Sequence, residues 1–278
     1  MVDLKAARHR FELLADELHG VRRMAGVPTS LRYAFEVFRH LPQILRTRNL
    51  RPADDAMAGR VWNLQVGLHS LALQGAYWGG AREMYGRAVY LPSPEFTIRA
   101  GDRVVDLGAN IGLFTLLAAA HGAQVLAVEA QSGFAPEIAR NLADNHLSER
   151  ATVVTALVGA GTGVFADPTA VLSGSHGHTA PPVVALDVLL DAHGFDRVDL
   201  LKMDIEGSEF ALFAGDCSWV ERVQRIAMEV HPRFGDPRSL VSLLTSRGFH
   251  AWTTDDRGHP TDTPPERGGY LFALRIAL

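Results

Sequence analysis

The segment VVDLGANIGLFTLLAAA, Val104–Ala120, reads as an apolar strand, a turn with two glycines and a helix that opens near Gly112. Ligands of open parallel sheets bind beyond the carboxyl ends of the strands, so this turn predicts a cofactor site. Gly108 and Gly112 suit a turn in which the backbone approaches a ligand closely and the helix packs on the strand.

Short apolar segments alternate with helical patterns from Gly101 to the end of the chain. The predicted strands are Arg103–Leu107, Gln124–Val128, Thr152–Leu157, Val183–Leu186, Asp199–Met203, Arg225–Val230, His250–Thr253 and Tyr270–Ile276. The predicted helices are 112–121, 134–146, 187–193, 207–215 and 236–248. This alternation is typical of an α/β fold with a mostly parallel, Rossmann-like sheet that helices cover on both faces.

The chain before this pattern has helical periodicity. Residues 3–48 form one helical stretch that GVPTS, Gly26–Ser30, interrupts, and a further helical run is predicted from Arg51, with Trp62, Val66 and Leu73 on one face. We therefore expect a helical N-terminal extension over residues 1–85 and a Rossmann-like domain over 86–278. The extension is expected to cover the substrate pocket or to form a homodimer.

Charge and composition exclude several classes of protein. The net charge of −4 gives no global basic field, so no nucleic acid partner is expected. Residues 1–60 hold 11 Lys and Arg against 7 Asp and Glu. This basic arm suits an anionic partner or a membrane surface, although a solvated, arginine-rich helix face is the simpler explanation.

The same sequence predicts a cytoplasmic protein. No run of about 18 apolar residues predicts a membrane span, and the N-terminus does not resemble a signal peptide. The single cysteine, Cys217, permits no intramolecular disulfide and suits a reducing compartment. We expect Cys217 to be a small buried side chain rather than a nucleophile.

Two carboxylates indicate which cofactor the turn accepts. Asp106 stands where a dinucleotide-binding G-x-G-x-x-G turn has its first glycine, and a carboxylate there repels a pyrophosphate. A cofactor with an ammonium and a sulfonium group and no phosphate, S-adenosylmethionine, fits better. Glu129 ends the next strand, where an acidic side chain accepts hydrogen bonds from ribose hydroxyls.

Four motifs in order, VVDLGANIGLFT, AVEA, DLLKMDIEGSE and AMEVHP, resemble those of the FkbM-type family of methyltransferases. The resemblance runs from about Tyr90 to the C-terminus, and its most specific part is LKMDIEGSEF, Leu201–Phe210. It implies a class I methyltransferase fold with a mostly parallel seven-stranded sheet. It also implies O-methylation of sugars, polyketides and related natural products. The chain departs from the family in Ala130, where proline is more usual after the acid, and in residues 1–85.

The cofactor is thus expected to be S-adenosylmethionine, which leaves as S-adenosylhomocysteine. The residues predicted to bind it are Asp106, Gly108, Ala109, Asn110, Gly112, Glu129, Ala130 and Asp204.

Transfer to a hydroxyl needs alignment and a base within hydrogen-bonding reach. Asp204 and Glu206 follow one predicted strand and His231 follows a neighbouring one, so the strand ends bring them together. His231 is the first candidate for the general base because its ordinary pKa is near 6.5, and Asp204 is the second, as base or orienting partner. A capping or packing role for His231 before Pro232 stays open.

Other charged residues near these strand ends have structural explanations as well. Lys202 is a catalytic candidate, but pairing with Glu206 or Glu229 explains it equally. Glu209 suits the helix dipole in a first turn. Asp204, Glu206, Glu229 and His231 have the chemistry of a metal site, yet a sulfonium needs no Lewis acid, so we expect no metal.

The substrate is expected to be a small-molecule or glycan acceptor. The insertion Gly159–Pro182 forms either a hairpin at the sheet edge or a loop over the site, and its His176 and His178 either reach the acceptor or face solvent. N-methylation of an amine and an NAD-linked oxidoreductase of similar topology remain alternatives.

Overall fold

The computed structural model describes residues 4–159, 181–264 and 269–276, with side chains from residue 14 onward. Contacts divide the chain into two compact units, Met1–Val89 and Tyr90–Leu278. The boundary lies four residues beyond the predicted end of the extension. Most of the predicted insertion Gly159–Pro182, with His176 and His178, lies outside the described residues.

The first unit combines helices with a β-hairpin. Its elements are α1 (Leu4–Arg39), α2 (Leu41–Thr47), α3 (Arg51–Asp55), β1 (Val61–Val66), β2 (His69–Gln74) and α4 (Trp78–Ala81). Helix α1 is kinked at Gly26, which has φ 76° and precedes Val27-Pro28, so the predicted interruption is present. A π-helical turn, Arg82–Arg87, follows α4.

The hairpin shows that the predicted helical run after Arg51 is wrong beyond α3. In β1 and β2, Leu64, Val66, Leu71 and Leu73 are buried at every second position, which is the period of a strand. Gly67, at φ 61°, opens a two-residue loop, and glycine at the first position of such a loop favours a hairpin. The apolar residues of segment 61–74 fit both a helical and a strand period, and the turn at Gly67 favours the strands.

The second unit is a seven-stranded sheet with helices between its strands. The strands are β3 (Arg103–Leu107), β4 (Gln124–Glu129), β5 (Ala151–Thr155), β6 (Leu200–Met203), β7 (Arg225–Val230), β8 (Phe249–Thr254) and β9 (Gly269–Arg275). The helices are α5 (Leu113–Ala120), α6 (Ala135–Asp144), α7 (Leu186–Ala192), α8 (Glu209–Ala214) and α9 (Pro237–Ser246). The sheet order is β5-β4-β3-β6-β7-β9-β8, and β9 is antiparallel to both of its neighbours. The predicted Rossmann-like, mostly parallel sheet is confirmed.

One predicted strand, Val183–Leu186, is wrong. Val183 forms only an isolated bridge with Leu157, and Leu186 already begins α7. Strand β5 likewise ends at Thr155, short of the predicted Leu157. Ala156 and Leu157 are buried beside the sheet edge without continuing the ladder, whereas Val183 is largely exposed.

Burial along the central strands fixes the position of the site. Every residue of β6 is buried, as are the last four residues of β3 and all eight of α5. Strands that helices cover on both faces read as continuous apolar runs, so polar groups reach a ligand only where the strands end. Among the described residues, no helix has the length and apolarity needed to cross a membrane.

Candidate functional site

A pocket opens at the carboxyl ends of the parallel strands, where the chain order of the sheet reverses between β3 and β6. Ligands of open α/β sheets bind at this kind of point. The loops after β3, β4, β5 and β6 supply its lining: Gly108, Asn110, Val128, Glu129, Ala130, Gln131, Ala156, Leu157, Val158, Asp204, Ile205 and Glu206. The charged members of this lining are all carboxylates.

Two glycines allow close packing beneath the pocket. Gly108 has φ 71°, and a Cβ added there would lie 1.8 Å from the backbone oxygen of Asp204. Gly112 has φ 83°, and its added Cβ would lie 2.9 Å from Ile138 on α6. The loop after β3 is thus pressed against the loop after β6, and only glycine fits between them.

Asp106 does not line the pocket but lies beneath it. Its side chain is 0% exposed, Thr115 Oγ1 donates to its Oδ2 at 2.7 Å, and Lys202 Nζ lies 3.0 Å from its Oδ1. The structure therefore differs from the expectation that Asp106 faces the ligand. Asp106 is an interior residue of β3, so its side chain points to a face of the sheet, where Thr115 and Lys202 contact it.

Lys202 neutralises Asp106 and fastens the glycine turn. Besides the ion pair, its Nζ donates to the carbonyl oxygen of Gly108 at 2.7 Å. Burial lowers the pKa of Lys202, but the charges of Asp106 and Asp204 outweigh burial and raise the pKa above its ordinary value. Of the two explanations offered for Lys202, an ion pair is present, but its partner is Asp106 and not Glu206 or Glu229.

Glu129 is held by the backbone on either side of the pocket. Its Oε2 accepts from Asn110 N at 2.7 Å and its Oε1 accepts from Gln131 N at 2.8 Å. Burial raises the pKa of Glu129, and the two N–H donors oppose that shift. Each carboxylate oxygen retains a further lone pair, so the group can still accept a ligand hydroxyl.

Tyr90 connects the ends of β6 and β7. Its hydroxyl lies 3.3 Å from Asp204 Oδ2 and 3.4 Å from Glu229 Oε2, within hydrogen-bonding distance of both. Its ring centroid lies 5.4 Å from Lys202 Nζ, a cation–π contact. Tyr90 therefore covers the buried lysine and orients the carboxylate that borders the pocket.

His231 is positioned by a buried carboxylate. Glu209 Oε1 accepts from the backbone N of His231 at 2.8 Å and lies 3.0 Å from its ring Nδ1. Glu209 Oε2 accepts from Gly207 N at 2.8 Å. A carboxylate at Nδ1 selects the tautomer that carries its proton there and leaves Nε2 as the reactive nitrogen. Glu209 does begin α8, as the helix-dipole explanation requires, but it also orients His231.

The ring Nε2 of His231 is turned to the pocket side, 3.6 Å from Glu206 Oε2. Burial lowers the pKa of His231, but the hydrogen bond to Glu209 and the charges of Glu209, Asp204 and Glu206 outweigh burial and raise the pKa to about 9. Partial desolvation and the charge of Asp204 raise the pKa of Glu206. The surrounding carboxylates therefore favour the protonated imidazole over the neutral form.

The loops that carry these groups interlock through two glycine–phenylalanine contacts. A Cβ added at Gly207 would lie 2.1 Å from the ring of Phe234, and one added at Gly235 would lie 2.4 Å from the ring of Phe210. The loop after β6 thus supplies a glycine to Phe234 of the loop after β7, and that loop supplies a glycine to Phe210 in the first turn of α8. The loop after β6 and the loop after β7 are packed as one piece.

Ligand atoms of Asp204, Glu206 and His231 all lie within 4.8 Å of one another. In the described part of the chain this is a group with the composition of a divalent cation site. A protonated imidazole between two carboxylates accounts for the same spacing without an ion.

The predicted residues divide into those that line the pocket and those that support it. The lining includes Gly108, Asn110, Glu129, Ala130, Asp204 and Glu206, whereas Asp106, Ala109, Gly112, Lys202 and His231 lie outside it. Sequence reasoning missed Tyr90, Gln131 and the segment 156–158. The position of 156–158 directly after β5 was a usable signal, because all parallel strands end on the same side of the sheet.

The chain is similar in sequence to known methyltransferases. A family model described as "Methyltransferase FkbM domain" matches residues 106–251. The 31-O-demethyl-FK506 methyltransferase FkbM of Streptomyces tacrolimicus is 28% identical over an alignment of 193 residues, and the match covers 55% of this chain and 74% of that protein.

Solved structures with a similar fold share little sequence with the chain. The METTL16 methyltransferase domain is 14% identical at a TM-score of 0.44, over 72% of this chain and 68% of that one. An rRNA methylase from Streptococcus thermophilus is 13% identical at a TM-score of 0.43, over 70% and 97%. The family match spans more than half of the chain, from the end of β3 into β8, and includes three of the four motifs in full and the first from Asp106 onward; the chain belongs to the FkbM methyltransferase family.

Proposed function

We propose that the protein is an S-adenosylmethionine-dependent O-methyltransferase that acts on a hydroxyl of a sugar, polyketide or related natural product. The observation that carries this proposal is the His231–Glu209 pair beside a pocket lined by carboxylates. The name of the Streptomyces tacrolimicus relative, which specifies an oxygen as its methylated atom, supports the same reaction class.

The lining of the pocket suits a cationic ligand. Its charged side chains are Glu129, Asp204 and Glu206, which favour an ammonium or sulfonium and disfavour a pyrophosphate. Glu129 has lone pairs available for ribose hydroxyls, and Gly108 and Asn110 bring backbone to the same edge. Bound S-adenosylmethionine would supply an activated methyl group. In the proposed site these three carboxylates, rather than Asp106, attract the cationic cofactor.

His231 serves as the general base in this proposal. Its Nε2 takes the proton of the acceptor hydroxyl, while Glu209 holds Nδ1–H and stabilises the imidazolium that forms. Asp204, oriented by Tyr90, holds the acceptor or the methyl donor in line. Lys202 and Asp106 act on the pocket only through the turn that they fasten.

N-methylation is the second candidate, because carboxylates near the strand ends also suit an amine acceptor. Tritium transfer from methyl-labelled S-adenosylmethionine to matched alcohols and amines separates the two. Calorimetry with S-adenosylhomocysteine and with NADH tests the cofactor. Binding of NADH but not of S-adenosylhomocysteine would contradict the proposal.

The role of His231 has a pH signature. Because the base must be neutral and its pKa is about 9, turnover should rise with pH and level off above pH 9. His231→Ala should lower kcat by about 10²–10⁴-fold with unchanged affinity for S-adenosylhomocysteine. Glu209→Gln removes the charge that raises the pKa, so its profile should shift toward lower pH. Equal turnover of His231→Ala and wild type removes His231 from the reaction.

The reaction is expected to need no metal. Turnover after dialysis against EDTA should equal that of the untreated enzyme, since the base and the methyl donor are both present without an ion. A loss that Mg²⁺ or Mn²⁺ restores would assign Asp204, Glu206 and His231 to a metal site instead.

A further inference from the structure

The outer face of α1 and α2 carries an apolar row. Ten large apolar side chains stand exposed in the described part of the chain, and half of them fall between residues 27 and 45. They are Val27, Leu31, Phe35, Phe38 and Leu45, with 48%, 67%, 60%, 75% and 55% of their surface exposed. At 3.6 residues per turn, the first four occupy about 80° of the circumference of α1. Tyr33 and Val37, on the far side of the helix, are buried.

Arginines border this row. Residues 27–51 contain Arg32, Arg39, Arg46, Arg48 and Arg51 against one acid, Glu36. Three of the arginines directly follow an exposed apolar residue at seven-residue intervals, as Leu31-Arg32, Phe38-Arg39 and Leu45-Arg46. We call residues 27–51 the basic strip.

The strip is only partly neutralised, and its last arginine, Arg51, pairs with Asp55 at 3.8 Å. Glu36 is 5% exposed and lies within 4.0 Å of Arg32, Arg39 and His40, so its charge is already shared. Among the described residues, no carboxylate lies within ion-pair distance of Arg46 or Arg48. The strip therefore presents positive charge together with apolar side chains.

We propose that the basic strip docks on an anionic lipid surface, with Phe35 and Phe38 in the boundary between headgroups and acyl chains. A helix that lies in this boundary combines an apolar face with flanking Lys or Arg. Guanidinium groups pair with lipid phosphates, and the attraction adds up over clustered basic residues. The protein then lies on the membrane surface.

Charge decides between this occupant and a second copy of the chain. Two strips related by a two-fold axis would bring arginines against arginines, and the one acid in the strip is buried. An acidic protein would satisfy the arginines but leaves the protruding phenylalanines without a specific partner. A lipid surface satisfies both groups.

The test is co-sedimentation of the full chain with vesicles. Wild type should bind vesicles of one part phosphatidylserine to three parts phosphatidylcholine, bind pure phosphatidylcholine at least tenfold more weakly, and release in 0.5 M NaCl. Phe35→Gln with Phe38→Gln should weaken binding at least tenfold. Arg46→Gln with Arg48→Gln should weaken it about tenfold at low salt and little at high salt.

The matched control changes an exposed apolar residue and an exposed arginine of the second unit. Val188, at 53% exposed, and Arg238 both become Gln, which should leave vesicle binding unchanged. Circular dichroism and thermal unfolding establish that each variant is folded. If the double phenylalanine variant fails to fold, the arginine variant and its salt dependence decide.

Three results overturn the proposal. Equal vesicle binding by wild type and both strip variants places the lipid contact elsewhere or excludes it. A dimer in sedimentation equilibrium that Phe35→Gln with Phe38→Gln dissociates assigns the strip to a second copy. Retention on immobilised polyglutamate without vesicle binding, lost in Arg46→Gln with Arg48→Gln, assigns it to an acidic protein.

Discussion

Each unit of the protein contains a cation that is largely shielded from solvent among carboxylates, and the two clusters serve different purposes. In the second unit Lys202 pairs with Asp106 beneath the pocket, with side chains 4% and 0% exposed. In the first unit Arg82 makes a two-pronged contact with Asp54 and also pairs with Glu17. Tyr33 completes this cluster of the first unit by donating to Asp54 at 2.6 Å.

The difference lies in what each cation touches besides its counter-ions. Lys202 donates to the carbonyl oxygen of Gly108, which lines the pocket, whereas Arg82 joins α1, α3 and the π-helical turn of its own unit. A buried ion pair contributes little net stability, so its value depends on what it holds in place. The lysine cluster holds a binding turn, and the arginine cluster holds a scaffold.

Loss of the lysine is expected to have the largest effect. Lys202→Met leaves Asp106 unpaired in the core and should lower the free energy of unfolding by about 3–5 kcal/mol. It should also weaken S-adenosylhomocysteine binding, since the turn loses its anchor. Urea denaturation and calorimetry measure the two effects.

The control for this variant removes both charges. Lys202→Met with Asp106→Asn should recover part of the lost stability, because no buried charge is left unpaired. If Lys202→Met alone is as stable as wild type, the ion pair is not the support described here.

Loss of the arginine should separate stability from binding. Arg82→Met should lower the free energy of unfolding by about 2–3 kcal/mol, less than in the lysine variant because 12% of its side chain meets water and Glu17 keeps Arg87 as a partner. Affinity for S-adenosylhomocysteine should be unchanged. If Arg82→Met is as stable as wild type but binds S-adenosylhomocysteine tenfold more weakly, the two clusters do not have the separate roles described here.

Two glycines with similar φ angles, Gly26 and Gly108, sharpen the comparison at smaller cost. Gly26→Ala meets only Pro28 at 3.9 Å, so it should cost about 1–3 kcal/mol of stability from the backbone conformation alone and leave binding intact. Gly108→Ala adds a collision with the backbone of Asp204 and should weaken S-adenosylhomocysteine binding at least tenfold. Thermal unfolding and calorimetry of both variants provide the readout, and equal binding would contradict the role given to Gly108.

The sequence predicted the second unit well because its signals are local. An apolar run, a glycine turn and a helix at Val104–Ala120 can adopt few other arrangements, and parallel topology then places the ends of β4 and β6 beside that turn. The sequence could not reveal which way Asp106 faces, because the side chain of a residue near the end of a strand can point to a buried face of the sheet or towards the pocket. The partner that settles this, Lys202, is 96 residues away.

The first unit was predicted less well for a related reason. Segment 61–74 contains apolar residues that fit a helical period and an alternating one, and the choice depends on Gly67 and on packing within the unit. The elevated pKa of His231 was equally hidden. It results from Glu209, Asp204 and Glu206 meeting around one ring, which no spacing in the sequence specifies.

The paired contacts of Gly207 with Phe234 and of Gly235 with Phe210 limit how this enzyme can diversify. Because Phe234 packs on Gly207 and Phe210 packs on Gly235, a substitution that displaces Asp204 is expected to displace His231 as well. In the proposed enzyme, new acceptors would then be accommodated by segments outside these contacts, while the distance between Asp204 and His231 stays unchanged.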